Sequence, residues 1–118
     1  MRIAIVDDLV NERALLRNRL EQALNGRSVQ TDICEYANGE AFIQAAEKQR
    51  FSAAFLDIYM PGANGIDTAR ALRAFDPDCL LIFTTTSTDH ALEGFQVRAM
   101  HYLVKPFTQK DIDSLTDE

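Results

Sequence analysis

Five short runs of aliphatic and β-branched residues punctuate the chain: Arg2 to Val6, Gln30 to Cys34, Ala53 to Leu56, Leu80 to Thr84 and Tyr102 to Val104. Between them the apolar positions recur at helical spacing. Leu15, Leu16, Leu20 and Leu24 share one stripe, with Asn11 or Asp8 as its cap and Gly26 as its stop. Ala41, Phe42, Ala45 and Ala46 mark a second helix. Ile66, Ala69, Leu72 and Phe75 mark a third, opened by the turn Pro61-Gly62-Ala63-Asn64-Gly65 and closed before Asp76-Pro77. A short fourth helix is expected from Ala91, Leu92 and Phe95. Thr108, followed three residues later by Asp111, opens a fifth that reads as truncated at Glu118. Strands alternating with helices predict an α/β fold of (βα)5 type, a central five-stranded parallel sheet covered on both faces. One domain spanning residues 1–118 is expected, with neither a repeat nor an interdomain linker.

Composition narrows the function classes. With 47% hydrophobic and 25% charged residues over 118 positions, the chain has the make-up of a globular protein that folds alone. Twelve Lys and Arg against 18 Asp and Glu give a net charge of −6, the wrong sign for gripping a phosphate backbone, so direct nucleic-acid binding is not expected. No apolar run approaches the roughly 18 to 20 residues that cross a bilayer, and the first strand begins without a basic leader; no membrane partner and a cytoplasmic location are expected. Cys34 and Cys79 have no metal-binding or redox spacing and read as reduced, buried thiols.

Ligands of an open α/β sheet bind beyond the carboxyl ends of its strands. There the first run ends in Asp7-Asp8, the third in Asp57, the fourth in Thr84-Thr85-Thr86 and the fifth in Lys105-Pro106. Any one of these could merely cap a helix; together they bring acids, a hydroxyl and an ammonium to one edge. Adjacent carboxylates raise one another's pKa unless a cation offsets them, so Asp7, Asp8 and Asp57 call for a hard divalent metal with oxygen ligands, Mg2+ being the natural candidate. Such a site suits phosphoryl transfer with Asp57 as nucleophile.

The segments Ile5-Val6-Asp7-Asp8, Phe55-Leu56-Asp57-Ile58-Tyr59-Met60-Pro61-Gly62, Phe83-Thr84-Thr85 and Tyr102-Leu103-Val104-Lys105-Pro106-Phe107 resemble response-regulator receiver domains, in order and in spacing, over nearly the whole chain. The resemblance implies the flavodoxin-like receiver fold and phosphorylation of Asp57 by a sensor histidine kinase. It implies direct Mg2+ ligation by Asp8, Asp57 and the main-chain carbonyl of Tyr59, with Asp7 acting through water. It also implies phosphoryl binding by Thr85 and Lys105, a cis peptide before Pro106, and Tyr102 as an aromatic switch. The output surface would be the fourth helix, fifth strand and fifth helix, which could also form a homodimer. Residues 91–95 and the stretch from Met100 to Phe107 are similar to receivers of the LytTR class, whose regulators carry a carboxyl-terminal DNA-binding effector domain. The chain would then be the receiver of a longer transcription regulator, a switch rather than an enzyme.

Other residues read as ordinary structure. His90 and His101 lack ligand spacing, and Glu12, Glu35 and Asp67 sit where helix dipoles or solvation explain them. The Gly62 to Gly65 loop lacks the lysine of a nucleotide P-loop. An aspartyl phosphatase would place a second acid two residues after the nucleophile, where this chain has Tyr59. A flavin binder would need a Gly/Ser/Thr-rich loop in place of Asp7-Asp8. A receiver that works without phosphorylation would not need the full set of Asp7, Asp8, Asp57, Thr85 and Lys105. One departure is Thr86, where the family more often has a smaller residue; its β-branched side chain should crowd the phosphoryl path and slow transfer or hydrolysis. Thr86→Ala is therefore expected to speed phosphorylation, dephosphorylation or both, measured as rates with a small phosphodonor.

Overall fold

The computed structural model describes residues 1–27, 30–62, 64–86 and 96–116. Five strands, β1 (Arg2–Val6), β2 (Asp32–Tyr36), β3 (Ala53–Asp57), β4 (Leu80–Thr85) and β5 (His101–Val104), form one parallel sheet in the order β2-β1-β3-β4-β5. The helices are α1 (Val10–Leu24), α2 (Gly39–Lys48), α3 (Gly65–Arg73) and, fourth among the described residues, α4 (Gln109–Thr116). The fold class is the expected flavodoxin-like (βα)5 arrangement. The helix expected from Ala91, Leu92 and Phe95 lies outside the described residues, as does His90.

The three central strands are buried on both faces, which is why they read as continuous apolar runs rather than alternating ones. Period-two geometry then divides their side chains. Ile3 and Ile5, Phe55 and Ile82 pack with Leu16 and Leu20 of α1 and Ile112 and Leu115 of α4. Ala4 and Val6, Ala54 and Leu56, and Leu81 and Phe83 pack with Phe42 and Ala46 of α2 and Ile66, Ala69 and Leu72 of α3.

Boundaries differ where polar residues have tertiary partners. β2 begins two residues later than expected and continues through Glu35 to Tyr36. It is an edge strand whose acid is neutralised by arginines from α1, while Tyr36 packs on the Phe42 and Phe51 rings at centroid distances of 5.9 and 6.0 Å. Neither Asn11 nor Asp8 caps α1: its N-cap is Leu9, without a side-chain bond, because the Asp7 carboxylate accepts from the Leu9 amide instead. The Thr108 cap holds as expected, with Thr108 Oγ1 accepting from the Asp111 amide and Asp111 accepting from the Thr108 amide. Cys34 and Cys79 are free thiols, though only Cys79 is fully buried. Leu15 is 41% exposed, outside the core stripe.

Phe42 is completely buried and also touches Phe51, with centroids 5.4 Å apart. Phe42→Ala removes that aromatic contact and opens a cavity, so a loss of about 3 to 5 kcal/mol is expected from urea unfolding midpoints.

Candidate functional site

Strand order reverses between β2-β1 and β3, so the carboxyl ends of β1 and β3 border the crevice where open α/β sheets take ligands. Ladder bonds extend past the strands and hold the site residues in place. The Asp7 amide donates to the Tyr36 carbonyl, the Ile58 amide to the Thr84 carbonyl, and the Lys105 amide to the Thr85 carbonyl. The Lys105-Pro106 peptide is cis.

The turn from β3 into α3 is equally constrained. A Cβ on Gly65 would sit 2.4 Å from the Asp57 carbonyl oxygen, so only glycine lets α3 start directly beneath the end of β3. The Gly65 amide donates to the Ile58 carbonyl, and Asn64 caps α3 by accepting from the Asp67 amide. Gly62, at φ +77°, turns the chain between them.

Asp7, Asp8 and Asp57 each offer a carboxylate oxygen, and these oxygens lie within 4.8 Å of one another. Asp7 and Asp57 are buried, whereas Asp8 is more open to solvent. Lys105 Nζ donates to Asp7 Oδ2 at 2.9 Å and lies 3.5 Å from Asp57 Oδ1. Burial, and then the charge of Asp7, push the Asp57 carboxyl up to about 6; Lys105 pulls it back and Asp8 adds a smaller upward push. Burial works against the Lys105 ammonium, but its bond to Asp7 and the charges of Asp57, Asp7 and Glu12 outweigh that, so its pKa lies above the ordinary lysine value.

Three acids against one ammonium leave an excess of negative charge, and every side-chain ligand on offer is a carboxylate oxygen. That donor set fits a hard divalent cation such as Mg2+. Glu12, read from the sequence as an ordinary helix-start acid, also reaches the site, with Oε2 3.9 Å from Lys105 Nζ. Its position in the first turn of α1, one helical turn beyond Asp8, was the available signal. Arg13 was missed as well; it donates to the Asp7 carbonyl.

Thr85 is fully buried at the end of β4, one residue after Thr84, which pairs in register with Asp57. Tyr59 is exposed two residues past Asp57. Thr86 is exposed and shares a depression with Glu12, Lys105 and Pro106. Tyr102 stands deeper along β5, in register with Phe83 and 6.3 Å from its ring, outside the carboxylate cluster. Glu35 and Asp67 stay out of the site: Glu35 pairs with Arg13 and Arg17, and Asp67 lies 3.9 Å from Arg70. Among the described residues no helix is long and apolar enough to cross a membrane.

Comparison with known proteins agrees with this fold. The sensory transduction protein LytT of Bacillus subtilis is 32% identical over 112 residues, covering 95% of this chain and 45% of that protein. The chain spans less than half the length of the curated relatives it matches. Among solved structures, the response regulatory domain of mrkE from Klebsiella pneumoniae superposes with a TM-score of 0.82 at 26% identity, covering 99% of this chain and 93% of that one. The response regulator TrrA of Thermotoga maritima, solved in complex with Mg2+ and BeF, gives a TM-score of 0.82 at 28% identity over 98% of this chain and 96% of that one. Residues 3–117 match the family model described as the response regulator receiver domain, and the chain belongs to that family.

Proposed function

We propose that this chain is a phosphorylation-activated switch in which Asp57 accepts a phosphoryl group from a sensor histidine kinase. The observation that carries the reading is a buried Asp57 crowded by Asp7 and Asp8, with the Lys105 ammonium 3.5 Å from its carboxylate. An Asp57 oxygen attacks phosphorus, the P–N bond of the donor phosphohistidine breaks as the P–O bond forms, and the leaving imidazole nitrogen takes a proton. Acetyl phosphate can serve as a small donor in the same way. Asp8 and Asp57, with the Tyr59 main-chain carbonyl, would hold Mg2+ directly and Asp7 would hold it through water. Bound there, Mg2+ offsets charge on the phosphoryl oxygens.

Lys105 and Thr85 would bind phosphoryl oxygens, Lys105 by exchanging its Asp7 partner and Thr85 by its hydroxyl at the end of β4. Movement of Thr85 would let Tyr102, half-buried against Phe83, repack and alter the surface around β5 and α4. In the cytoplasm that surface would control a carboxyl-terminal DNA-binding effector domain, directly or through a homodimer that also uses the helix expected before β5. Support for this comes from the relatives, which are named as transcriptional or sensory transduction regulators and are about twice as long. The chain itself would act as a single-turnover phosphoacceptor with slow self-dephosphorylation.

Incubation with acetyl phosphate and Mg2+ is expected to add one labile phosphoryl group by intact mass. Asp57→Ala and an EDTA control should both abolish it; modification that survives Asp57→Ala would refute the assignment.

The raised Asp57 pKa has a definite effect on stability. The native carboxyl protonates near 6 and the unfolded one near 3.8, so the native state binds more protons between those values and stability falls as pH rises through that window. At pH 7, without metal, the penalty is at most about 3 kcal/mol, at roughly 1.4 kcal/mol per pKa unit. Asp57→Asn is expected to raise the metal-free urea midpoint at pH 7 and to give no gain below about pH 4.

A further inference from the structure

We infer that Arg13 is a positioning residue for the metal-binding acids, acting as a guanidinium clamp between edge strand β2 and the turn that carries Asp7 and Asp8. The inference rests on the reading of those acids as a Mg2+ site. Arg13 Nη1 donates to the Asp7 main-chain carbonyl at 2.7 Å, and Nε donates to Glu35 Oε1 at 3.2 Å. The other Glu35 oxygen accepts from Arg17 Nε, and Arg17 Nη2 donates to the Ile33 carbonyl at 2.8 Å. Arg17, itself tied to the β2 backbone, thereby holds one Glu35 oxygen while the other holds Arg13. The Arg13 side chain is only 16% exposed, so the clamp is shielded from most of the solvent.

Its point of attachment matters. β1 ends at Val6, which pairs with Tyr36 and Leu56, so the Asp7 carbonyl lies beyond the last ladder pair. α1 begins at Val10, and its first ladder bond runs from the Arg13 amide to the Leu9 carbonyl. Arg13 is the described side chain that ties the intervening Asp7 peptide to the frame. The same turn aims the Asp7 carboxylate, since Oδ1 accepts from the Leu9 amide while Oδ2 accepts from Lys105. Lysine cannot substitute, because one ammonium cannot present two donors in the fixed fork that spans a carbonyl and a carboxylate.

Positioning and plain electrostatics predict opposite signs. A cation beside an acid cluster weakens Mg2+ binding by repulsion, so removing its charge alone would tighten binding. Loss of the clamp lets the acids drift and weakens binding; partners that orient metal ligands contribute about tenfold or more to affinity.

The test is calorimetric titration of Mg2+ into the native protein, Arg13→Lys and Arg13→Gln, with amide hydrogen exchange at Leu9 followed in metal-free samples and urea midpoints recorded alongside. The expected result is binding about tenfold weaker in both variants, with Leu9 exchange accelerated relative to core amides such as that of Leu56. Tighter or unchanged binding in Arg13→Gln, unchanged binding in Arg13→Lys, or Leu9 exchange that rises only as much as that of the core would overturn the inference. A native protein that binds no Mg2+ would sink the reading of the cluster itself, and the inference with it; native binding with unaltered variants would sink the inference alone.

Discussion

Like charges held close together out of water set the terms for this molecule. Asp7 and Asp57 are both almost wholly buried, their carboxylates share a space no wider than 4.8 Å with that of Asp8, and one ammonium stands against them. Desolvation and mutual repulsion disfavour ionisation, which is why Asp57 titrates near 6 rather than near 3.8. A cluster in this condition gains from whatever cation or proton it can recruit, so the strain provides the driving force for binding a metal.

Such a cluster persists only if the backbone beneath it cannot relax. Three amides just past the strand ends, those of Asp7, Ile58 and Lys105, continue the parallel ladder. Gly65 lets α3 press against the Asp57 peptide, and Arg13 donates to the Asp7 carbonyl. The two apolar layers on the sheet hold these strands in register, so energy from burying residues such as Leu56 and Phe83 indirectly keeps the acids crowded. The same register sets Thr84 beside Asp57 and Tyr102 beside Phe83, which connects the acid cluster to the β4-β5 edge through adjacent strands.

Much of this was legible in the chain. The central strands were readable because burial on both faces leaves them uniformly apolar, and the acids were readable because each stands where an apolar run stops. Edge strand β2 was placed two residues early, since Glu35 looks like a terminator until Arg13 and Arg17 neutralise it. The start of α1 was misjudged for a related reason: Asp8 has the chemistry of a cap but is committed to the acid cluster, and Asp7 caps the turn instead.

The amino-acid sequence by itself determined the (βα)5 order, the two-sided burial of the sheet and the set of polar residues that terminate its strands, because these follow from local periodicity and from the residue type at each strand end. Only the tertiary structure decided which of those residues share a space, that Glu12 joins them, and that Arg13 of α1 pairs with Glu35 of β2. Asp7 and Lys105 are 98 positions apart yet 2.9 Å from each other. Distances of that kind depend on strand order and register, which emerge only when the apolar layers pack together, and no local pattern encodes them.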